Sequence, residues 1–416
     1  MRIALNYQRV DPNRGGAETY VVDLCNRLLQ KGHAVDLFAE RWRAETLPAG
    51  VTTHRVSARG LTRWGRTWNF ARNSERALLA SVRDFDCTVG FINTWHHDVL
   101  IPQGGVQAAS LAANSLRFPA GWRRTAYLLG KSLNPKRWAQ RAIEAKQYDP
   151  NRGARIVAVS DMVRGHLETY RGVSRDRVDV IPNAIDADRL IVADRVATRT
   201  AFRTRFGLGE SDLVGLFVGH NYALKGLGPL LEALAIRSSR DPDGRPIHLV
   251  ACGGAEVGPY RALADRLGIG ATVHLAGFVD DIRPPFWASD FFVLPSYYDP
   301  CSLVVFEALA CGLPVITTGC NGAGEVITEG REGFVVPHPD DVEGLATALG
   351  RMVDDGDRAR MAVEAARLGR EQSFDRHVER LLALFDRVAA RRPRSNKSLR
   401  GPSGAARSGH KSTRVG

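Results

Sequence analysis

One carboxylate stands alone in a stretch of the sequence that is otherwise apolar. Glu307 lies within the run Leu303–Ala310, and no Lys or Arg occurs three or four residues away from it. An unpaired carboxylate in such a helix needs a partner from outside the helix. Helical side chains lean toward the N-terminus, so Glu307 could accept hydrogen bonds from hydroxyl groups bound there, such as those of a ribose. Pairing with a distant arginine is the structural alternative.

The helix that carries this carboxylate begins in a way that suits an anion. A strand over 291–296 leads through a short loop into a helix predicted from about 302 to 310. The backbone N–H groups at its start belong to Cys301, Ser302 and Leu303, and the helix dipole lies behind them. A helix start of this kind is suited to bind a diphosphate.

Two further segments, both in the first half of the chain, carry groups that could serve chemistry. Gly15 and Gly16 precede a helix, so the backbone there can approach a bound phosphate or acceptor closely. His96, His97 and Asp98 follow a strand and supply three ionisable groups in a row, as the handling of a proton from an acceptor hydroxyl requires. We expect one of these three residues to contact the acceptor.

These motifs together resemble family 4 of the retaining glycosyltransferases, which have the GT-B fold. Asp299, seven intervening residues, Glu307 and the following ALACGLPVI are similar to the acidic E-x7-E motif of that family. Asp299 is one methylene shorter than the usual glutamate, and the resemblance implies that it binds a hydroxyl group of the donor sugar. The likeness extends to about Ala390 and is strongest to lipopolysaccharide core glucosyltransferases.

The same resemblance implies roles for other positions. Lys225, in the segment VGHNYALKG, matches the lysine that neutralises the donor diphosphate, and His220 lies where a second cation is common. Asp98 matches an acidic residue of the lipopolysaccharide core enzymes, whereas Gln103 and Gly104 stand where many members carry an acceptor-side histidine. The remaining donor-side positions are Phe278 and Val279 at the nucleobase and Glu325 near the donor.

The elements that must position these residues follow an alternating pattern. Apolar runs of strand length alternate with amphipathic helical stretches, which predicts an α/β fold with parallel sheets. Two doubly wound series in tandem place a ligand cleft where the carboxyl ends of the two sheets face each other. We predict an acceptor-side Rossmann-like domain over 1–190, a nucleotide-sugar-binding Rossmann-like domain over 191–370, a closing helix over 371–391 and a basic, disordered tail over 392–416.

The net charge of +12 is concentrated in two segments. Residues 391–416 hold eight Lys and Arg and no acid, and residues 116–148 hold eight against one acid, Glu144, with aromatic residues interleaved. This distribution argues against specific nucleic-acid binding. For 116–148 it suits either peripheral contact with an anionic membrane surface or an anionic acceptor, or else a solvated helix face with a few core aromatic residues.

Cysteine usage and hydropathy indicate the compartment. The six cysteines show no CxxC spacing, so they indicate neither a disulfide framework nor a zinc site. No apolar run approaches the ~20 residues of a spanning helix, and the apolar start is too short for a signal peptide. We expect a cytoplasmic protein, in peripheral contact with the inner face of the membrane through 116–148 and the basic tail. No metal or other cofactor is expected, since Asp280 and Asp281 lie in a base-side loop rather than at a strand end near the site.

The expected activity is a retaining transfer of a hexose from a nucleoside diphosphate sugar. UDP is the expected nucleotide of this donor. The expected acceptor is a hydroxyl group of a cell-envelope saccharide or of a lipid-linked saccharide. Two alternatives belong to other classes. One is a nucleotide-sugar 2-epimerase of the same fold, which would act without an acceptor. The other is a non-enzymatic protein that binds anionic surfaces, which would leave Glu307 unexplained.

Overall fold

The computed structural model describes residues 1–12, 15–254 and 256–391. In the first half of the chain, seven strands form one parallel sheet in the order β5-β3-β1-β6-β7-β8-β9, and β2 pairs with β4. The strands are β1 (Arg2–Asn6), β2 (Arg9–Val10), β3 (Ala34–Ala39), β4 (Arg41–Trp42), β5 (Thr52–Arg55), β6 (Cys87–Gly90), β7 (Val99–Leu100), β8 (Arg155–Ala158) and β9 (Val178–Val180).

The helices of the first half connect these strands. They are α1 (Gly16–Gln30), α2 (Arg63–Ala80), α3 (Gln107–Ser115), α4 (Trp122–Ser132), α5 (Pro135–Gln147) and α6 (Asp161–Arg171). Local sequence sets their ends. Ser160 caps α6, because its Oγ accepts from the backbone N–H of Val163 at 3.2 Å, and Gly172 ends the helix in the left-handed conformation.

The second half repeats this plan. Its parallel sheet has the order β12-β11-β10-β13-β14-β15. The strands are β10 (Leu213–Val218), β11 (Ile247–Cys252), β12 (Val273–Gly277), β13 (Phe291–Leu294), β14 (Val315–Thr318) and β15 (Gly333–Val336). The helices are α7 (Arg195–Thr204), α8 (Tyr222–Lys225), α9 (Leu227–Arg240), α10 (Gly258–Arg266), α11 (Arg283–Ala288), α12 (Leu303–Ala310), α13 (Val342–Arg351), α14 (Asp355–Glu371) and α15 (Phe374–Ala390).

The last helix, α15, returns to the first domain. Its apolar face joins the core formed by β1, β3, β6 and α1. Inside that core the Tyr20 hydroxyl hydrogen-bonds His377 Nε2 at 2.6 Å. The chain therefore crosses between the domains twice. The two crossings touch, since the Phe374 N–H donates to the Ile185 carbonyl at 3.1 Å.

The structure confirms the predicted fold class, two Rossmann-like α/β domains that face each other across a cleft. The last strand of the first sheet ends at Val180 and the first strand of the second begins at Leu213. Sequence reasoning missed β5 at the sheet edge and the two-residue strands β2, β4 and β7, whose patterns are too short to read. The predicted disordered tail over 392–416 lies outside the described residues. No helix within the described ranges is long and apolar enough to span a membrane.

Candidate active site

A cavity of about 500 Å³ opens between the two domains, beyond the carboxyl ends of β9, β10 and β13. Most of the residues that the sequence proposes for the site line it. They are Gly15, Gly16, His220, Lys225, Phe278, Val279, Asp299, Cys301, Ser302, Leu303 and Glu307. In the part of the chain that the structure describes, no three His, Cys, Asp or Glu side chains lie together as a metal site would require.

Lys225 is held in the cavity by the short helix α8. Asn221 begins this helix, because its Oδ1 accepts from a backbone N–H at 3.0 Å. Gly226 follows Lys225 with φ +79°, and a Cβ there would collide with the Pro295 carbonyl, so only glycine fits. The Lys225 ammonium forms an ion pair with the Asp299 carboxylate, and both side chains are largely buried.

The loop with Asp299 is fixed by its own domain. The Asp299 N–H donates to the Cys320 carbonyl at 3.0 Å, and its carbonyl accepts from the Gly322 N–H at 2.9 Å. These two bonds fix the backbone that carries the Asp299 carboxylate.

The start of α12 offers donors to the same cavity. No hydrogen bond from the Leu303 or Val304 N–H occurs within the described residues. The Ser302 N–H, expected from the sequence to be free, instead donates to Asn321 Oδ1 at 3.3 Å. This partner lies 19 residues away on another loop, so the local pattern could not reveal it. The N–H of Leu303, which the sequence proposed, and that of the next residue, Val304, are therefore the unbonded donors established at the start of this helix.

Glu307 lines the cavity one helical turn beyond these donors. Its carboxylate has no hydrogen-bond or ion-pair partner among residues 1–12, 15–254 and 256–391. Burial raises the pKa of the carboxyl to about 7, because no cation offsets the cost of desolvation. Pairing with a distant arginine is thus not found in these ranges. A carboxyl poised near neutrality and open to a cavity is typical of a binding or catalytic group.

Two aromatic rings stand at the outer end of the cavity. The His220 and Phe278 rings are nearly parallel, with centroids 6.4 Å apart and planes at 17°. Phe278 is 69% exposed although it is a large apolar side chain. Val279 lines the cavity beside it. This exposed ring pair is suited to bind a flat, aromatic group.

Gly16 brings the first domain close to α12. A Cβ at this position would lie 2.8 Å from Leu303 Cδ1, across the domain interface. Gly15 and Gly16 both line the cavity, and their neighbours Asn13 and Arg14 lie outside the described residues.

The loop with Asp299 also carries hydrogen bonds to the first domain. Tyr298, Pro300 and Cys301, which flank Asp299, each form a hydrogen bond with the first domain. The bonds run from Val106 N–H to Tyr298 Oη at 3.1 Å, from Ser160 Oγ to the Pro300 carbonyl at 2.8 Å, and from Asn183 Nδ2 to the Cys301 carbonyl at 2.9 Å. The position of the first domain is therefore linked directly to the loop that carries Asp299.

Glu325 lies outside the cavity lining, contrary to its expected place near the donor. Its two carboxylate oxygens accept from the backbone N–H groups of Asp161 and Met162, each at 2.7 Å. These N–H groups belong to the first turn of α6, where the helix dipole favours a negative charge. Glu325 thus caps a helix of the other domain and joins the two domains.

Asp98 and His97 also lie outside the cavity lining. The Asp98 carboxylate accepts from the backbone N–H and from the hydroxyl of Thr88, both at 2.7 Å, and so ties the loop between β6 and β7 to β6. His97 is 7% exposed, and burial lowers its pKa to about 3. Neither arrangement suits a group that exchanges a proton with an acceptor in the cleft.

Three polar residues that line the cavity, Thr19, Gln103 and Asn183, were not proposed from the sequence as site residues. Asn183 donates to Cys301, but its Oδ1 is buried without a hydrogen-bond partner among the residues described. Gln103 likewise leaves its Nε2 buried and unpartnered there. Asn183 lies three residues after the end of β9, so its place just beyond a strand terminus is the signal that could have identified it.

The chain matches two family models over most of its length. Residues 14–189 match the model for glycosyltransferase family 4, and residues 212–355 match the model for glycosyl transferases group 1. The curated relatives include the D-inositol 3-phosphate glycosyltransferase 2 of Catenulispora acidiphila, which is 29% identical over 89% of this chain and 92% of its own.

Solved structures share the fold. The crystal structure of WaaG, a glycosyltransferase involved in lipopolysaccharide biosynthesis, superposes with a TM-score of 0.73 at 21% identity, covering 92% of this chain and 99% of WaaG. Anabaena HepE in complex with UDP-glucose superposes with a TM-score of 0.63 at 18% identity, covering 92% of this chain and all of HepE.

Proposed function

We propose the following activity for this chain, which belongs to glycosyltransferase family 4. It transfers a hexose from UDP-hexose to a hydroxyl group of a cell-envelope or lipid-linked saccharide, with retention of configuration at the anomeric carbon. One observation carries the proposal. A single cavity holds a lysine, a helix start with unbonded N–H groups and a carboxylate without a partner among the described residues, which are the groups that the diphosphate and the hydroxyl groups of a nucleoside diphosphate sugar would bind.

The diphosphate is assigned to Lys225 and to the start of α12. The Leu303 and Val304 N–H groups point along the helix dipole, and the ammonium supplies a full positive charge. Negative charge builds on the diphosphate as the sugar leaves, and fixed donors of this kind stabilise it. With this cation in place, the proposed transfer needs no metal ion.

The ribose is assigned to Glu307 and the base to the outer rings. A partnerless carboxylate beyond the phosphate donors can accept two hydroxyl groups at once. His220 and Phe278 would stack on the base. Uridine is our choice of base because HepE, of the same fold, is described in complex with UDP-glucose.

Asp299 is assigned to a hydroxyl group of the hexose. It leaves Lys225 when the diphosphate takes the ammonium, and then orients the sugar. The bond from the anomeric carbon to the β-phosphate oxygen breaks, and a bond from the acceptor oxygen to that carbon forms on the same face. The acceptor proton passes to the departing phosphate oxygen, so no protein nucleophile is needed.

The acceptor is assigned to the first-domain wall, with Gln103 and Asn183 as its polar contacts. Both residues line the cavity and have a hydrogen-bonding atom without a partner among the described residues, whereas the Asp98 carboxylate is bound by Thr88. The names of the relatives support a hydroxyl-rich acceptor, since one acts on an inositol phosphate and WaaG takes part in lipopolysaccharide biosynthesis.

The test has two steps. Thermal unfolding with UDP-, GDP- and ADP-hexoses identifies the donor, because a bound nucleotide raises the midpoint. Transfer of labelled hexose to a panel of saccharide, lipid-linked and inositol phosphate acceptors follows, with the product anomer assigned by NMR. An inverted anomer would refute retention. Formation of an epimer from the donor alone would refute the transferase.

A further inference from the structure

The α4–α5 hairpin, residues 116–147, has an outer surface that the rest of the protein leaves uncovered. Helix α4 contributes no buried residue. Four large apolar side chains of the hairpin are more than half exposed. They are Trp122 at 76%, Leu129 at 58%, Leu133 at 73% and Trp138 at 59%. A group of such side chains on one surface marks a place of contact with another body.

The inner side of the hairpin is firmly attached, so the outer surface is presented in a defined way. Ile143 of α5 is 1% exposed and packs against Ala71 and Trp95. The Trp95 indole N–H donates to the Ile143 carbonyl at 3.3 Å. Lys146 forms an ion pair with Glu75 of α2 at 2.8 Å. The α5 helix, which carries Trp138, is therefore packed against the first domain.

The charges around these apolar side chains are of one sign. The one acid of the hairpin, Glu144, is 5% exposed and is bound to Arg171 and to the Gln107 N–H. Cations and aromatic rings alternate on the outer side, with the Arg123 guanidinium 5.5 Å from the Trp122 ring centroid. Six cations have no carboxylate partner among the described residues. They are Arg117, Arg123, Arg124, Lys131, Arg137 and Arg141.

We propose that this surface docks on an anionic lipid bilayer. Tryptophan and leucine enter the boundary between head groups and acyl chains, while arginine and lysine bind the lipid phosphates. A second copy of the chain would bring like charges together. An acidic saccharide or a nucleic acid would pair the cations but leave Trp122, Leu129, Leu133 and Trp138 in water. An anionic bilayer satisfies both sets of side chains.

A short series of hydrogen bonds connects the hairpin to the candidate active site. Glu144 accepts from the Gln107 N–H at 3.1 Å, and the preceding Val106 N–H donates to Tyr298, next to Asp299. Docking would therefore hold the first-domain wall of the cavity beside the membrane. This orientation rests on the proposed function, but the docking surface itself does not, because lipid binding needs neither donor nor acceptor.

The experiment measures binding of the full-length protein to vesicles without any nucleotide sugar. We expect co-sedimentation with vesicles that contain phosphatidylglycerol and little with pure phosphatidylcholine. The variant Trp122→Ala/Trp138→Ala and the variant Arg123→Glu/Lys131→Glu should each lower the partition constant by about tenfold or more. The control Val363→Ala/Arg370→Glu changes an exposed apolar and an exposed basic residue on α14 and should bind as the unchanged protein does.

Insertion gives a second readout. Lipids brominated in the acyl chain should quench tryptophan fluorescence in the unchanged protein and in the α14 control, but not in Trp122→Ala/Trp138→Ala. Vesicle binding that is equal in both hairpin variants and the control would overturn the docking surface and would locate binding elsewhere, for example in 392–416. Binding to a soluble acidic polysaccharide without binding to anionic vesicles would overturn it as well. Transfer to a soluble acceptor in the hairpin variants then tests the proposed function separately.

Discussion

The ammonium group of Lys225 forms an ion pair with the carboxylate of Asp299 inside the cavity. A diphosphate would compete with Asp299 for that ammonium group. The two side chains are thus expected to act on nucleotide binding in opposite directions, although both are expected to serve transfer.

Replacement of Lys225 should weaken both binding and transfer. In Lys225→Ala the diphosphate loses its cation, so we expect weaker UDP binding and a loss of about 10²–10³-fold in kcat. Calorimetry and a radiolabel transfer assay measure the two effects. Lys31→Ala is the matched control, because Lys31 is paired with Glu379 on the surface. If Lys225→Ala turned over substrate at a rate near that of the control, the assignment of Lys225 to the diphosphate would be wrong.

Replacement of Asp299 should separate binding from transfer. In Asp299→Asn the ammonium group loses its competing carboxylate, so UDP is expected to bind a few-fold more tightly. Transfer should fall by at least about tenfold, because the sugar loses a charged acceptor of hydrogen bonds. Asp299→Glu should keep more activity than Asp299→Asn. Weaker UDP binding in Asp299→Asn would contradict the competition inferred from the ion pair.

Glu307 should make nucleotide binding depend on pH. Its pKa is about 7, and the ionised form accepts ribose hydroxyl groups, so UDP affinity should rise as pH increases through about 7. In Glu307→Gln this part of the pH dependence should disappear. UDP also ionises, so the variant and the unchanged protein are compared at each pH, and a UDP analogue without ribose hydroxyl groups serves as the control. Parallel curves for the two proteins would exclude the ribose contact.

The same carboxyl should lower stability at high pH. Its folded pKa of about 7 exceeds the ordinary 4.5, so the folded state holds a proton that the unfolded state has released between those values. The free energy of unfolding therefore falls as pH rises from about 4.5 to about 7, by at most about 3 kcal/mol, since the side chain is partly exposed. Urea unfolding should find Glu307→Gln more stable than the unchanged protein above about pH 7 and equal to it near pH 4.5. Equal stability at both ends would mean that burial does not raise this pKa.

Glu325 should hold the two domains together. In Glu325→Ala two N–H groups of α6 lose their acceptor, which costs about 1–3 kcal/mol of domain contact. We expect a larger radius of gyration in X-ray scattering and a higher KM. Glu329→Ala is a control, because Glu329 bonds within its own domain, to Val335. An unchanged radius of gyration would show that the remaining cross-domain bonds suffice.

Sequence reasoning succeeds here where the signal is local. The start of α12 and the isolation of Glu307 can be read from a few neighbouring residues, because helix periodicity and the absence of a nearby cation are properties of one segment. Glu325 and Asp98 could not be placed in that way. Each is a carboxylate in a suggestive loop, and what decides its role is a backbone N–H that lies 164 residues away for Glu325 and across a loop for Asp98. Only the fold brings such partners together.

The double crossing between the domains limits how the cleft can open. The segment at Ile185 and the segment at Phe374 lie side by side and are hydrogen-bonded to each other. Two connections at one place define a hinge axis between the domains. Rotation about this axis widens or narrows the cleft. Sliding or twisting of one domain against the other would break the hydrogen bonds between the two connecting segments. Opening of the cleft is then a hinge rotation, and this rotation separates the cross-domain hydrogen bonds around Asp299 together.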